Sequence, residues 1–149
     1  MENNCCTFLG HKDCPFSIKS KLYDILEDLI KNKNVTTFYI GNNGNFDKIV
    51  LTVLSDLKNK YKHIKYNIVL AYLPLKTNNI QYEDKTIYPE GIETVPKRFA
   101  ISWRNRFMIS KSNYIVCYIT HKYGGAYKFV EFAYKHNKTI INLYNQFDI

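Results

Sequence analysis

Five short β-rich runs are apolar on nearly every successive residue, and no other feature constrains the fold of this chain as tightly. They are Cys5 to Leu9, Thr36 to Ile40, Asn67 to Leu73, Tyr114 to Thr120 and Thr139 to Leu143. A strand with one wet face alternates apolar and polar residues, whereas a strand buried on both faces reads as a continuous apolar stretch. The runs therefore predict a mainly parallel sheet with both faces covered.

Helical periodicities fill the gaps between the runs. Ile18, Leu22, Ile25, Leu26 and Leu29 follow the start signal Asp13-Cys14-Pro15 at three- and four-residue spacing. A second stripe runs through Ile49, Val50, Val53, Leu54 and Leu57, a third through Phe99, Trp103 and Phe107, and a fourth through Phe129, Phe132 and Ala133. Strands alternating with helices make right-handed βαβ units. The expected architecture is a Rossmann-like three-layer α/β/α sandwich around about five strands. With 149 residues, of which 46% are hydrophobic, residues 1–149 read as a single domain. One connection is unlike the rest: from Pro74 to Pro96 the chain is polar, carries Pro89 and Gly91, and has no sustained period. A stretch of that length is either a functional lid or a decorated surface loop.

Composition narrows the setting. The run from Tyr114 to Thr120 is far short of the roughly 20 residues of a membrane span, and Met-Glu-Asn-Asn is not a signal-peptide start, so a cytoplasmic protein without membrane contact is expected. Cys5 and Cys6 are adjacent, while Cys14 and Cys117 stand alone, so no metal or redox site is expected; the strand cysteines read as small core hydrophobes. A net charge of +8 favours anionic partners, but the lysines are scattered and form no basic tail.

In an open parallel sheet, ligands bind beyond the carboxyl ends of the strands, so the turns after the strands carry the functional information. Three matter: Phe8 to Asp13, with Gly10 and His11; Gly41 to Asp47, with Asn42 and Gly44; and His121 to Gly125, with Gly124. Glycine lets the backbone approach a ligand, and the helix start that follows offers unpaired N–H groups to a phosphate. Asp47 either binds a hydroxyl or stabilises the positive end of its helix. His11 and His121 either contact a ligand or are ordinary polar turn residues.

The third helix concentrates Arg98, Arg104 and Arg106 among aromatics. Arg104 shares a face with Met108, four residues on, and its fork suits phosphate or carboxylate; Arg98 and Arg106 read as surface residues. Glu131 falls about two turns into the fourth helix, among Phe129, Phe132 and Ala133. On the exposed side it is an ordinary carboxylate; reaching inward it would meet ribose hydroxyls or act as a base. Tyr72, Tyr82 and Tyr88 are candidates to stack on a base, and Trp103 reads as core or a dimer contact.

Arg104, Met108, the strand Tyr114 to Thr120, Gly124-Gly125 and Glu131 together resemble the signature of the LOG (Lonely guy) nucleotide phosphoribohydrolases. In that family an Arg lies four before a Met, a strand follows, and Pro-Gly-Gly-x-Gly-Thr-x-x-Glu closes the motif. The first two turns resemble the wider SLOG superfamily, which includes the DprA/Smf and LOG proteins. The sequence departs from the LOG pattern at Tyr123, in place of Pro, and at Tyr127 and Lys128, in place of the second Gly-Thr. Lys128 replaces a hydroxyl with a charge.

The resemblance implies a Rossmann-like sheet, a homodimer or higher homo-oligomer, no cofactor, and a pocket binding a nucleotide or nucleotide-derived ligand. For a hydrolase it implies that Arg104 and Glu131 serve cleavage of the N-glycosidic bond of a nucleoside 5′-monophosphate. The leading expectation is a nucleotide-binding domain that senses or sequesters its ligand. A LOG-like hydrolase is the second expectation, and DprA-like binding of single-stranded nucleic acid the third.

Overall fold

In the computed structural model, which describes residues 3–42, 44–72 and 85–144, the runs become strands of a single sheet. The strands are β1 (Asn4–Gly10), β2 (Val35–Ile40), β3 (Lys65–Val69), β4 (Thr86–Ile87), β5 (Tyr114–Tyr118) and β6 (Thr139–Asn142). Their spatial order is β4-β3-β2-β1-β5-β6, and every neighbouring pair is parallel. Four α-helices provide the crossovers: α1 (Lys19–Asn32), α2 (Gly44–Lys60), α3 (Ala100–Lys111) and α4 (Gly125–Lys135).

Both faces of the sheet are dry, as the continuous runs require. On β1, Cys6 and Phe8 join the core beneath α1 and α2, while Leu9 joins a second core beneath α3 and α4. On β5, Val116 faces the first core and Ile115 and Cys117 face the second. The period-two geometry of a strand thus sends alternate members of one apolar run to opposite layers. Cys6 and Cys117 are fully buried in these cores, and the thiols of all four cysteines are free. Burial pushes the Cys117 thiol up to about 12, so it stays protonated and inert.

Two helix exits share one device. Asn34, after α1, and Asn137, after α4, adopt φ of 53° and 62°, the left-handed turn that releases the chain towards the next strand. Side-chain amides then extend the sheet. Asn113 accepts from the Cys5 N–H at 2.8 Å. Asn142 accepts from the Ile119 N–H and donates to the Ile119 carbonyl, both at 3.1 Å, so it acts as one more rung beyond β5. Replacing Asn142 with Ala strands two polar groups of a buried residue. The expected cost is about 1–3 kcal/mol, read as a lower urea midpoint with an unchanged slope.

The structure corrects three expectations. The sheet has six strands, because Thr86–Ile87 pairs with Ile68–Val69 inside the segment read as lacking regular structure. A two-residue edge strand has no period to detect. The third strand begins at Lys65, two residues earlier than its apolar run, and Leu70 and Ala71 are buried beyond its end. Of the two readings of Trp103, core or dimer contact, the structure removes the first: the residue is 43% exposed, and its indole N–H donates to the Glu90 carbonyl at 3.0 Å. The expectations placed on residues 74–84, Tyr82 included, lie outside the described residues. Among the described residues, no helix is long and apolar enough to cross a membrane.

Candidate functional site

The strand order reverses between β1 and β5, since β2, β3 and β4 build outwards on one side of β1 and β5 and β6 on the other. At such a reversal the connecting helices leave in opposite directions and a crevice opens beyond the strand ends. A cavity of about 450 Å³ lies there, and among its lining residues are Gly10, His11 and Lys12 after β1, Gly41 after β2, Asp47 of α2, Ile101, Arg104, Asn105 and Met108 of α3, and Gly125, Ala126 and Phe129 of α4. Because α2 and α4 both begin at this edge, their positive ends flank the opening, and in α2 the Asn45 N–H donates to the Lys12 carbonyl at 3.3 Å.

Two glycines permit close packing at the rim. A Cβ on Gly10 would lie 2.6 Å from Cγ of Phe46, in the first turn of α2. A Cβ on Gly41 would lie 2.9 Å from the Asp47 carboxylate and 3.2 Å from Arg104 Cζ. Any side chain at Gly41 therefore presses on both charged groups. In front of α4 the situation is reversed: the space around Gly124 and Gly125 is open, with nothing within 4 Å of a Cβ at either position.

Arg104 is the chemical centre of the cavity. It is 3% exposed, with Nη1 donating to Asn42 Oδ1 at 3.0 Å and Nε and Nη2 both donating to Asn105 Oδ1 at 3.3 Å. A guanidinium carries five N–H donors, more than these three bonds use. Burial lowers its pKa, while Asp47 and Tyr72 raise it. Arginine starts so high that the group stays cationic. The Asp47 carboxylate lies nearby, but the hydrogen bonds of this buried cation go to neutral amides, which leaves its charge able to meet a further anion.

At the reversal point His11 and His121 stack, with ring centroids 3.8 Å apart and planes 6° from parallel. The His11 N–H donates to the Tyr118 carbonyl at 3.2 Å, carrying the β1–β5 pairing one step past the strand and bringing the two rings together. Desolvation and then the neighbouring His121 lower the His11 pKa, and Asp13 opposes them. The folded protein therefore binds fewer protons at His11 than the unfolded chain does. Stability is present above the unfolded value near 6.5 and falls as pH drops from there towards the lower folded value. Thermal melts between about pH 7.5 and 5.5 are expected to show a falling Tm, and the fall becomes shallower in His11→Asn.

The structure brings together Gly10, His11, Gly41, Asp47, Arg104 and Gly125 as the sequence suggested. Asn42 joins them through its bond to Arg104 and lines an adjoining cavity of about 250 Å³ with Gly41 and Asp47. Gly44 packs on Lys12, His121 enters through the stack, and Gly124 caps α4. Three residues stand apart. Tyr72 lines a separate cavity with Tyr88 and Lys97, although it is near enough to Arg104 to raise its pKa. Lys128 and Glu131 are exposed on α4 and are not among the lining residues, because that helix buries Val130 and Ala133 instead. Asn105 was not foreseen: neighbours along a helix do not share a face, and no spacing rule marks the Arg104 side chain turning back to the next residue.

A larger cavity, about 570 Å³, lies between α3 and α4, where Trp103, Phe107, Phe132 and His136 meet. Ser110, His136 and Lys138 place it towards the carboxyl ends of those helices, away from the strand ends that open at the reversal point.

Fold and cavity together define a Rossmann-like α/β domain with its crevice at the carboxyl edge of a parallel sheet. Among solved structures, the chain is similar to the X-ray structure of DNA processing protein A (DprA) from Streptococcus pneumoniae, with a TM-score of 0.70 at 14% identity. The match covers 94% of this chain and 50% of that one, so the chain spans about half the length of DprA. At this identity the likeness is one of fold alone, and it agrees with the Rossmann-like α/β sandwich expected from the apolar runs. No protein-family model matches the chain, and no curated protein does.

Proposed function

We propose that this domain binds a phosphorylated, nucleotide-class anion in the cavity at the carboxyl edge of its sheet, as a sensor or sequestering protein. The observation that carries the reading is Arg104: a buried cation lining a cavity flanked by two helix N-termini, with three of its five N–H groups bonded among the described residues. Arg104 and the N–H groups at the start of α4 would hold phosphate, and the apolar wall of Ile101, Met108 and Phe129 would take the base. The net charge of +8 draws anions towards the site. The similarity to a DNA processing protein adds nucleic acid to the ligands worth testing.

Binding is preferred to hydrolysis because Glu131, the carboxylate that the LOG-like reading requires, is exposed on α4. The test is to incubate purified protein with a mixed pool of mono-, di- and cyclic nucleotides and identify by mass spectrometry what stays bound and what is converted. The expected result is an intact nucleotide retained by wild type. A free base and ribose phosphate that disappear in Glu131→Gln would establish the hydrolase instead, and retention of nothing from the pool would count against both.

A further inference from the structure

We propose that His11 is a proton-linked contact for an anionic ligand oxygen, and that His121 and Tyr123 form a lid of stacked rings over it. This rests on the anion-cavity reading and adds a charge state and a pH dependence to it. One buried atom of the site is unsatisfied among the described residues. His11 lines the cavity, yet its Nε2 is shut off from solvent and has no hydrogen-bond partner among the described residues. Buried polar nitrogens are nearly always bonded, so an exception calls for a partner from outside the chain, such as an ion or water.

What covers His11 is aromatic and movable. Its ring stacks on His121, whose centroid lies 3.9 Å from that of Tyr123, tilted by 32°. Tyr123 is 70% exposed, and the turn that carries it runs into Gly124, with φ of 92° and open space around it. Outward movement of the Tyr123 ring displaces no core, while His121 is tied to the Thr120 hydroxyl through Nδ1 at 2.9 Å. Two neutral imidazoles stack comfortably at this separation, whereas two imidazoliums repel. Burial and the neighbouring His121 disfavour a proton on His11, and an anion facing it offsets both.

The charged and titratable groups around His11 fit that behaviour. Lys12 and Asp13 flank it on its own turn, His121 and Tyr123 face it from the β5–α4 turn, and Asp47 of α2 and Arg104 of α3 line the same cavity. In the free protein, burial and His121 keep His11 neutral near pH 7. On binding, His11 takes one proton from solvent, and its Nε2–H donates to the ligand's oxygen. No covalent bond changes. Ligands with a full dianionic charge, such as phosphate monoesters, gain more from the imidazolium than singly charged diesters do.

The experiment uses sulfate as the probe, because it stays dianionic across the range in which histidine titrates. Histidine resonances of the ¹⁵N-labelled protein are followed from about pH 8 to about pH 5.5, with and without saturating sulfate. The expected result is a His11 midpoint raised by about one pH unit, with sulfate bound about tenfold more tightly at the acid end. In His11→Asn, sulfate binding is expected to lose its pH dependence. Sulfate that binds, is lost in Arg104→Met and leaves the His11 midpoint unmoved would overturn this proposal while sparing the cavity. Failure of wild type to bind sulfate or any nucleotide at any pH would remove the cavity reading itself. The wild-type titration is decisive even if the His11 variant does not fold.

Discussion

Arg104→Met is expected to weaken nucleotide binding at least about 100-fold while leaving the domain folded. Each hydrogen bond to a charged group contributes roughly 1.5–3 kcal/mol, and a phosphate bound to one guanidinium commonly takes two. Methionine fills much of the same volume and removes the cost of burying a cation, which compensates in part for the bonds lost to Asn42 and Asn105. Asp47 loses an attractive neighbour but is only half-buried, so it keeps contact with water. Isothermal titration calorimetry with the retained nucleotide measures the first effect, and a urea melt the second. Arg106→Met is the matched control: Arg106 is exposed and lies 5.7 Å from the Phe132 ring centroid, and its loss is expected to leave affinity unchanged.

The largest expected effect on stability falls at the contact between the first turn and α2. Phe46 is 1% exposed and packs edge-on against Phe8 with ring centroids 6.5 Å apart, so Phe46→Ala should cost about 3–5 kcal/mol. Gly10→Ala forces a methyl group onto the Phe46 ring and should cost about 1–3 kcal/mol by overpacking. The two substitutions touch one another, so their effects must not add. In the Phe46→Leu background the ring is gone, and Gly10→Ala is expected to cost measurably less than in wild type. Additive losses in a double-mutant cycle would mean that the turn after β1 is not held by α2.

These contacts show what the sequence disclosed and what it hid. Runs such as Phe8-Leu9 and Ile115-Val116 announced a two-faced parallel sheet, because each supplies one residue to either core. Thr86–Ile87 gave no such sign: its two residues pair at the sheet edge and are only half-buried. Arg104 was legible because an arginine four residues before Met108, on an aromatic helix, shares its inward face. Glu131 had equally aromatic neighbours, but they surround it in sequence and not in space, since α4 turns Val130 and Ala133 inwards. The stack of His11 on His121 lies beyond local reasoning altogether. It exists because β1 and β5 are adjacent where the strand order reverses, a relation that no window along the chain contains.

Backbone amide NMR with the retained nucleotide locates the bound ligand. The prediction is a contiguous set of shifts at residues 10–12, 41–42 and 124–126, with the Arg104 side chain moving and the Trp103 indole unchanged. Shifts centred instead on Trp103, Phe132 and His136, in the cavity between α3 and α4, would contradict it.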